Sequence, residues 1–326
     1  VNYRHITSQI PLSVVRKRQI MIIRPFLTLL LGAFLIPVSM ESVQANPFSA
    51  ASPSPNRFLE QRSDLALSSA SFVVANPRTG EVLSERNANR VMPIASITKL
   101  MTALVVLDAN QRLSETLTVT MADVDRLKGT GSRLAVGSRL SRADMLHIAL
   151  MSSENRAASA LARHYPGGQR AFIEAMNAKA SMLGMWSTQF ADSTGLNPRN
   201  VSSAHDLAKL VAAASAYPLI RQYSATEQRM VRNGKRQLHY LNSNRLVREG
   251  SWLVTLSKTG YIREAGRCLV MATQINREPV ILVLLNADTP NARVADAKRI
   301  KSWLESSGRT SLTAQSSPQT KLFSSQ

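Results

Sequence analysis

The period of apolar positions changes twice along this chain. Residues 71–75 and 81–85 are short apolar-rich stretches on either side of Asn76-Pro77-Arg78-Thr79-Gly80, a pattern that predicts two strands joined as a hairpin. From Ser96 onward the spacing is helical: Ile97, Leu100, Met101, Leu104, Val105 and Leu107 share one face, and Pro93 just upstream biases Met92 away from helix. Ser141-Arg142-Ala143-Asp144 resembles a capping box opening a helix over 145–151, and an alanine-rich helix follows over 155–163. After Gly167-Gly168, Phe172, Ala175, Met176, Ala180 and Leu183 predict a helix ending at Gly184, and Ser203 caps another through Leu207, Leu210 and Val211. These Met and Leu stripes read as core rather than as a cofactor box. Beyond Met230 the period falls to two, with a hairpin turn at Asn233-Gly234 and strands at 253–258, 267–274 and 280–285. An amphipathic helix over 291–304 closes the pattern. Strands at both ends with helices between them predict one α/β domain, its sheet assembled from distant segments around an inserted helical subdomain.

The flanks do not belong to that domain. Arg16-Lys17-Arg18 and Arg24 precede an apolar run from Phe26 to Val38, followed by Val43-Gln44-Ala45, which predicts a secretory signal peptide over 1–45. A compact signal can also begin at Met21. The apolar run, roughly a dozen residues, is shorter than the ~20 that span a bilayer, so a cleavable signal is preferred to a retained anchor. Residues 46–58 read as a Ser/Pro/Ala linker, 59–305 as the domain, and 306–326 as a disordered tail of Ser, Thr, Gln and Gly with no C-terminal membrane anchor. The one cysteine, Cys268, lies in an apolar run and reads as a buried structural thiol, so an exported chain must hold together by packing. The formal net charge is +19, and residues 1–45 carry five basic and one acidic residue, which leaves +15 on the remainder. Scattered bases, few aromatics and export argue against nucleic acid. A polyanionic cell envelope fits the charge, as does a solvated basic surface with no specific partner.

Three strings then bring in chemistry: Ser96-Ile97-Thr98-Lys99, Ser153-Glu154-Asn155 and Lys258-Thr259-Gly260. Each is weak alone, and their order and separations, 57 and 105 positions, carry the argument. Ser54-Pro55-Asn56 and Arg78-Thr79-Gly80 imitate the second and third, but both precede the candidate nucleophile. A serine hydroxyl needs a base, and Lys99, three residues on along a helix, faces the same way as Ser96. An amine serves as base only when neutral, which calls for burial or a nearby cation such as Lys258. His147, His164, His205 and His239 fall in or beside helices and a hairpin, no Gly-x-Ser-x-Gly elbow is present, and no histidine pair has metalloprotease spacing. No metal or other cofactor is called for. Ser96 at a helix start offers its backbone N–H to an oxyanion, and Tyr261 offers a second; Gly260 lets a ligand approach the backbone. Ser153 can relay a proton to a leaving amine and Asn155 can hold a substrate amide. Lys258 and Thr259 suit a carboxylate or a carbonyl of an extended peptide. The plainer alternative makes Ser96 and Ser153 helix caps only.

On these residues the chain resembles the penicillin-recognising serine acyl-transferases, which include D-alanyl-D-alanine peptidases and serine β-lactamases. The resemblance covers residues 59–304. The segments 151–168, 190–196 and Lys258-Thr259-Gly260-Tyr261 are similar to the penicillin-binding protein 7 group of soluble periplasmic D-alanyl-D-alanine endopeptidases. That resemblance implies a five-stranded antiparallel sheet with a helical lobe, hydrolysis of the D-alanyl to diaminopimelyl cross-link of peptidoglycan through an acyl-enzyme on Ser96, and a stable β-lactam adduct there. No Glu-x-x-Leu-Asn follows Asn155, and Ser153 stands where another β-lactamase class has tyrosine, so efficient β-lactam turnover is not expected. Three functions stay open: a D,D-endopeptidase, a D,D-carboxypeptidase that trims pentapeptides, and a non-catalytic wall-binding protein, which has no reason to keep Ser96, Lys99, Ser153 and Lys258 together.

Overall fold

A glycine-closed turn builds the first hairpin. Strand β1 (Ser71–Ala75) ends where the Asn76 carbonyl accepts from the Gly80 N–H at 2.9 Å, with Gly80 at a positive φ of 73°, and β2 (Val82–Arg86) returns. The computed structural model describes residues 65–289 and 291–315. The expected signal peptide, the linker and the first residues of the expected domain, 59–64, lie outside the described residues, as does the chain beyond 315.

After β3 (Met92–Pro93) and a 3-10 turn (Ala95–Thr98), the chain enters α1 (Lys99–Asp108). Strand β4 (Thr116–Thr118) and a second 3-10 turn (Met121–Asp123) precede β5 (Arg139–Ser141), α2 (Arg142–Met151), α3 (Asn155–Arg163) and α4 (Gly168–Met182). Then come β6 (Val201–Ser202), α5 (Ala204–Ser215), α6 (Pro218–Ser224), β7 (Gln228–Asn233), β8 (Arg236–Leu241) and α7 (Arg245–Arg248). The chain closes with β9 (Val254–Ile262), β10 (Gly266–Ile275), β11 (Glu278–Ala287) and α8 (Ala292–Gln315). Caps fix the helix starts: the Ser141 and Ser203 hydroxyls accept from the N–H groups of Asp144 (3.0 Å) and Asp206 (3.1 Å), and the Glu154 carboxylate caps α3.

The main sheet has five antiparallel strands in the order β2-β1-β11-β10-β9, the sheet that the resemblance implied. Its three central strands, β1, β11 and β10, are buried on both faces, so their sequences read as near-continuous apolar runs, while the edge strand β2 is half-exposed. Val73, Val270, Ile281 and Val283 face the helices of the lobe, while Val74, Leu269, Leu282 and Leu284 pack with Ala297 and Ile300 of α8. Strand β9 lies at the sheet edge, and the turn Ala95–Thr98 packs against it.

The structure departs from the sequence pattern in several places. The helix expected to open at Ser96 opens at Lys99, and Ser96 sits in the preceding 3-10 turn without capping anything. The strand expected over 253–258 runs to Ile262, which takes Lys258-Thr259-Gly260 into the sheet. The closing helix continues through Gln315, so residues 306–315, expected to begin a disordered tail, are helical. No helix among the described residues is long and apolar enough to cross a membrane.

Candidate active site

The turn that carries Ser96 is held in an unfavourable backbone conformation. Ala95 adopts φ 47°, a left-handed value that costs an alanine of order 1 kcal/mol or more. Two glycines make room for it. A Cβ on Gly195, itself at φ 82°, would lie 1.9 Å from the Ala95 carbonyl oxygen, and one on Gly260 would lie 3.0 Å from the Ile94 oxygen and 3.2 Å from the Ser96 nitrogen. The backbone that approaches Gly260 is thus the turn that carries Ser96. Thr98 Oγ1 donates to the Ala95 carbonyl at 2.8 Å and accepts from Asn200 Nδ2 at 2.9 Å. Asn200, fully buried, also accepts from the N–H groups of Ala191 (2.7 Å) and Asp192 (3.0 Å). Asp192 in turn accepts from the N–H groups of Thr194 (2.7 Å), Gly195 (2.5 Å) and Asn197 (2.7 Å), so the loop is clamped from within.

That loop supplies a ligand to the lysine. Lys99, 1% exposed at the start of α1, places Nζ 3.0 Å from Ser96 Oγ, 2.7 Å from Asn155 Oδ1 and 2.6 Å from the Thr194 carbonyl. Burial lowers its pKa to about 7, against the opposing pull of the Asp192 and Glu154 carboxylates. Of the two causes the sequence offered, burial or a nearby cation, burial is the larger. Lys258, also 1% exposed, is itself pushed well below the ordinary lysine value by burial and then by the charges of Lys99 and Arg293. Among the described residues no carboxylate forms an ion pair with Lys99, Lys258 or Arg293, so this end of the cleft favours an incoming negative charge.

Asn155, the first residue of α3, donates through Nδ2 to Thr130 Oγ1 at 3.0 Å, and Thr130 is bound by the Asp125 carboxylate. Ser153 stands beside it at φ 66°. Its hydroxyl makes no hydrogen bond among the described residues, to Lys99 or otherwise. On β9, Lys258 Nζ donates to the Thr259 carbonyl at 2.8 Å and Thr259 Oγ1 to Ser243 Oγ at 2.7 Å. Tyr261 is 53% exposed, with the Arg267 guanidinium 3.8 Å from its ring centroid. Concavities flank the Ser153–Asn155 corner: one of about 590 Å³ is lined by Asp125, Leu127, Asn155, Asp192 and Thr194, and one of about 440 Å³ by Arg133, Ser152, Glu154, Tyr240 and Leu241.

The three strings therefore meet, with Ser96, Lys99 and Asn155 in direct contact and Lys258 near enough to feel the charge of Lys99. Among the described residues no histidine bonds to Ser96. His147 is buried, stacked on Tyr223 at 4.1 Å, with its pKa lowered by burial to about 4. Sequence reasoning missed the Thr194 carbonyl, the Asn200 clamp and Arg293, whose guanidinium donates to the carbonyls of Gly260 (3.3 Å) and Cys268 (3.2 Å). Asp192 and Thr194 fall in the string 190–196, so a signal was there for the loop, but a backbone acceptor has no signature of its own.

Residues 58–289 match a family described as D-alanyl-D-alanine carboxypeptidase. The chain is similar to proteins named D-alanyl-D-alanine endopeptidase from Pseudomonas aeruginosa, with 48% identity over 81% of this chain and 86% of the relative, and from Escherichia coli, with 45% identity over 82% and 87%. Among solved structures it is similar to the Streptomyces K15 DD-transpeptidase, at a TM-score of 0.69 and 28% identity, covering 73% of this chain and 97% of that one. A D-alanyl-D-alanine carboxypeptidase from Mycobacterium tuberculosis matches at a TM-score of 0.66 and 28% identity, covering 72% and 90%.

Proposed function

Because the chain belongs to the D-alanyl-D-alanine carboxypeptidase family of serine peptidases, we propose that it is a D,D-endopeptidase that cuts D-alanyl to meso-diaminopimelyl cross-links of peptidoglycan. In this reading Ser96 is the nucleophile and Lys99 the base. The observation that carries it is the set of partners around Lys99 Nζ: as a neutral amine it donates to Asn155 Oδ1 and the Thr194 carbonyl, and its lone pair is left for the Ser96 hydroxyl proton.

Ser96 Oγ attacks the D-alanyl carbonyl carbon as its proton passes to Lys99. The oxyanion is held by the N–H groups of Ser96 and Tyr261. Lys99 returns the proton through the Ser153 hydroxyl to the leaving amine, the C–N bond breaks, and water hydrolyses the ester by the same route in reverse. The substrate lies along the β9 edge, with Asn155 on its amide and Lys258 and Thr259 on its carboxylate. In both candidate substrates that carboxylate sits on the carbon next to the scissile nitrogen, in terminal D-alanine and in the diaminopimelyl residue of a cross-link. It brings the negative charge that Lys258 and Arg293 lack. Endopeptidase is preferred because the relatives at 48%, 45% and 36% identity are named so, whereas those named carboxypeptidase stand at 30–31%. β-Lactams acylate the same serine and stay, and the site of action is the periplasm.

Two assays together test this. Protein lacking the leader is expected to label covalently with a fluorescent penicillin, and Ser96→Ala is expected to abolish the label; labelling that survives rejects the nucleophile. Cross-linked muropeptide dimers and free pentapeptide, digested in parallel, separate the two peptidases, and shortening of pentapeptide alone replaces the endopeptidase by the carboxypeptidase.

A further inference from the structure

Residues 228–241, which form β7, its turn and β8, hold four basic residues and no acidic one. Arg229 pairs with Asp144 at 2.6 Å. Arg232, Lys235 and Arg236 are exposed at the turn end, and no carboxylate among the described residues pairs with them. Two more exposed cations without a carboxylate partner adjoin the hairpin. Arg139 of β5 is tied to the turn, since its N–H donates to Asn233 Oδ1 at 3.3 Å while Asn233 Nδ2 donates to Ser138 Oγ at 2.8 Å. The Arg133 guanidinium donates to the His239 carbonyl and lies 5.5 Å from the Tyr240 ring centroid. Gathering like charges without counter-ions costs stability, and an anionic partner recovers that cost.

The hairpin also connects to the site. At its open end Tyr240 and Leu241 line the concavity of about 440 Å³ together with Ser152 and Glu154, the residues on either side of Ser153, and the Tyr240 hydroxyl is buried there without a partner. From that end to the turn, a six-residue strand extends about 20 Å. This is about the reach of a six-residue extended peptide.

We propose that the turn end of the β7–β8 hairpin, with Arg139 and Arg133, is a docking surface for the carboxylate-bearing peptide stems of polymeric peptidoglycan, holding the wall while one cross-link occupies the cleft. The inference rests on the wall-peptidase reading above. The occupant is the polymer because it presents many stem carboxylates at once, so weak contacts to each add as avidity, whereas a soluble dimer brings few.

The test compares wild type with the triple variant Arg232→Glu, Lys235→Glu, Arg236→Glu, and with Arg232→Gln, Lys235→Gln as a milder change at the same tip. Each is sedimented with purified insoluble sacculi at about 50 mM and about 500 mM NaCl, concentrations that weakly and strongly screen surface charge. Wild type is expected to bind sacculi at low salt and release at high salt, and the triple variant to bind at least ~10-fold more weakly, with the double variant between them. Hydrolysis of soluble dimers and fluorescent-penicillin labelling are expected to stay at wild-type rates. Those two readouts in wild type report on the peptidase reading separately, so its failure and that of the docking surface are distinguished. Undiminished binding of the triple variant to sacculi overturns the proposal, and so does absence of salt-sensitive binding by wild type. Equal loss of dimer hydrolysis in both variants overturns it too, as does loss of binding to anionic phospholipid vesicles with sacculus binding intact.

Discussion

A protonated Lys99 donates to Ser96 Oγ, Asn155 Oδ1 and the Thr194 carbonyl, and when it loses a proton the lone pair can face only Ser96, because the other two acceptors have no hydrogen to give. On the proposed reading, base chemistry is therefore directed by the partners and not only by the spacing of two residues. The pKa of Lys99, lowered by burial to about 7, predicts the pH dependence of that reading. Below that value the amine is protonated and cannot accept, so penicillin acylation is expected to fall about tenfold per pH unit on the acid side and to level off above pH ~7. Stopped-flow acylation across pH 5–9 measures this limb, and a rate flat through pH ~7 assigns the proton to another group. Lys99→Arg keeps a cation that stays charged, and acylation is expected to drop by ~100-fold or more. At this scale Ser96, Lys99 and Asn155 were legible because side-chain identity at fixed spacing is what a sequence records. The Thr194 carbonyl was not, since every residue but its neighbours' geometry makes it the same atom.

The site is placed by elements that press on one another: the 3-10 turn Ala95–Thr98, the edge strand β9 and the loop 192–196. Gly260 is the point of closest approach. A methyl group there meets atoms at 3.0–3.2 Å, so the turn must move by a few tenths of an ångström and the Ser96 N–H with it. Gly260→Ala is expected to fold with a Tm near wild type and to slow acylation by roughly 10- to 100-fold, as small misplacements of reacting groups do. Thermal unfolding and acylation kinetics on the same preparation check this, and unchanged acylation removes Gly260 from the positioning role. The hairpin of β1 and β2, the capped starts of α2 and α5 and the strands β10 and β11 were readable because turn residues, caps and apolar runs are local signals. The Pro-initiated α6, the four-residue α7 and the two-residue strands β3 and β6 were not readable, because they are too short to show a period. The extension of β9 through Gly260 is set by pairing of Lys258, Thr259 and Gly260 with Val270, Leu269 and Cys268, partners that lie on another strand.

On the scale of the molecule, a sheet covered on both faces replaces covalent cross-links. Cys268 is fully buried against the lobe side of that sheet, and burial pushes its thiol up to about 11. Ellman's reagent is expected to react with it only as fast as the protein unfolds globally, and reductant is expected to leave Tm unchanged; rapid labelling of the native protein contradicts both. The sheet has a further consequence. β1 pairs with β11, Ser71 opposite Leu285, so its first and last parts are separated by most of the domain's length. A chain emerging N-terminus first presents Ser96 and Lys99 long before Gly260, Lys258 and β11 exist to hold them. On the proposed reading, the burial that lowers the Lys99 pKa therefore arrives with the last strands, and a half-made chain carries Ser96 without its activating partner. The order of the strands acts as a timing device: the pocket around Lys99 closes only when β9, β10 and β11 have joined the sheet.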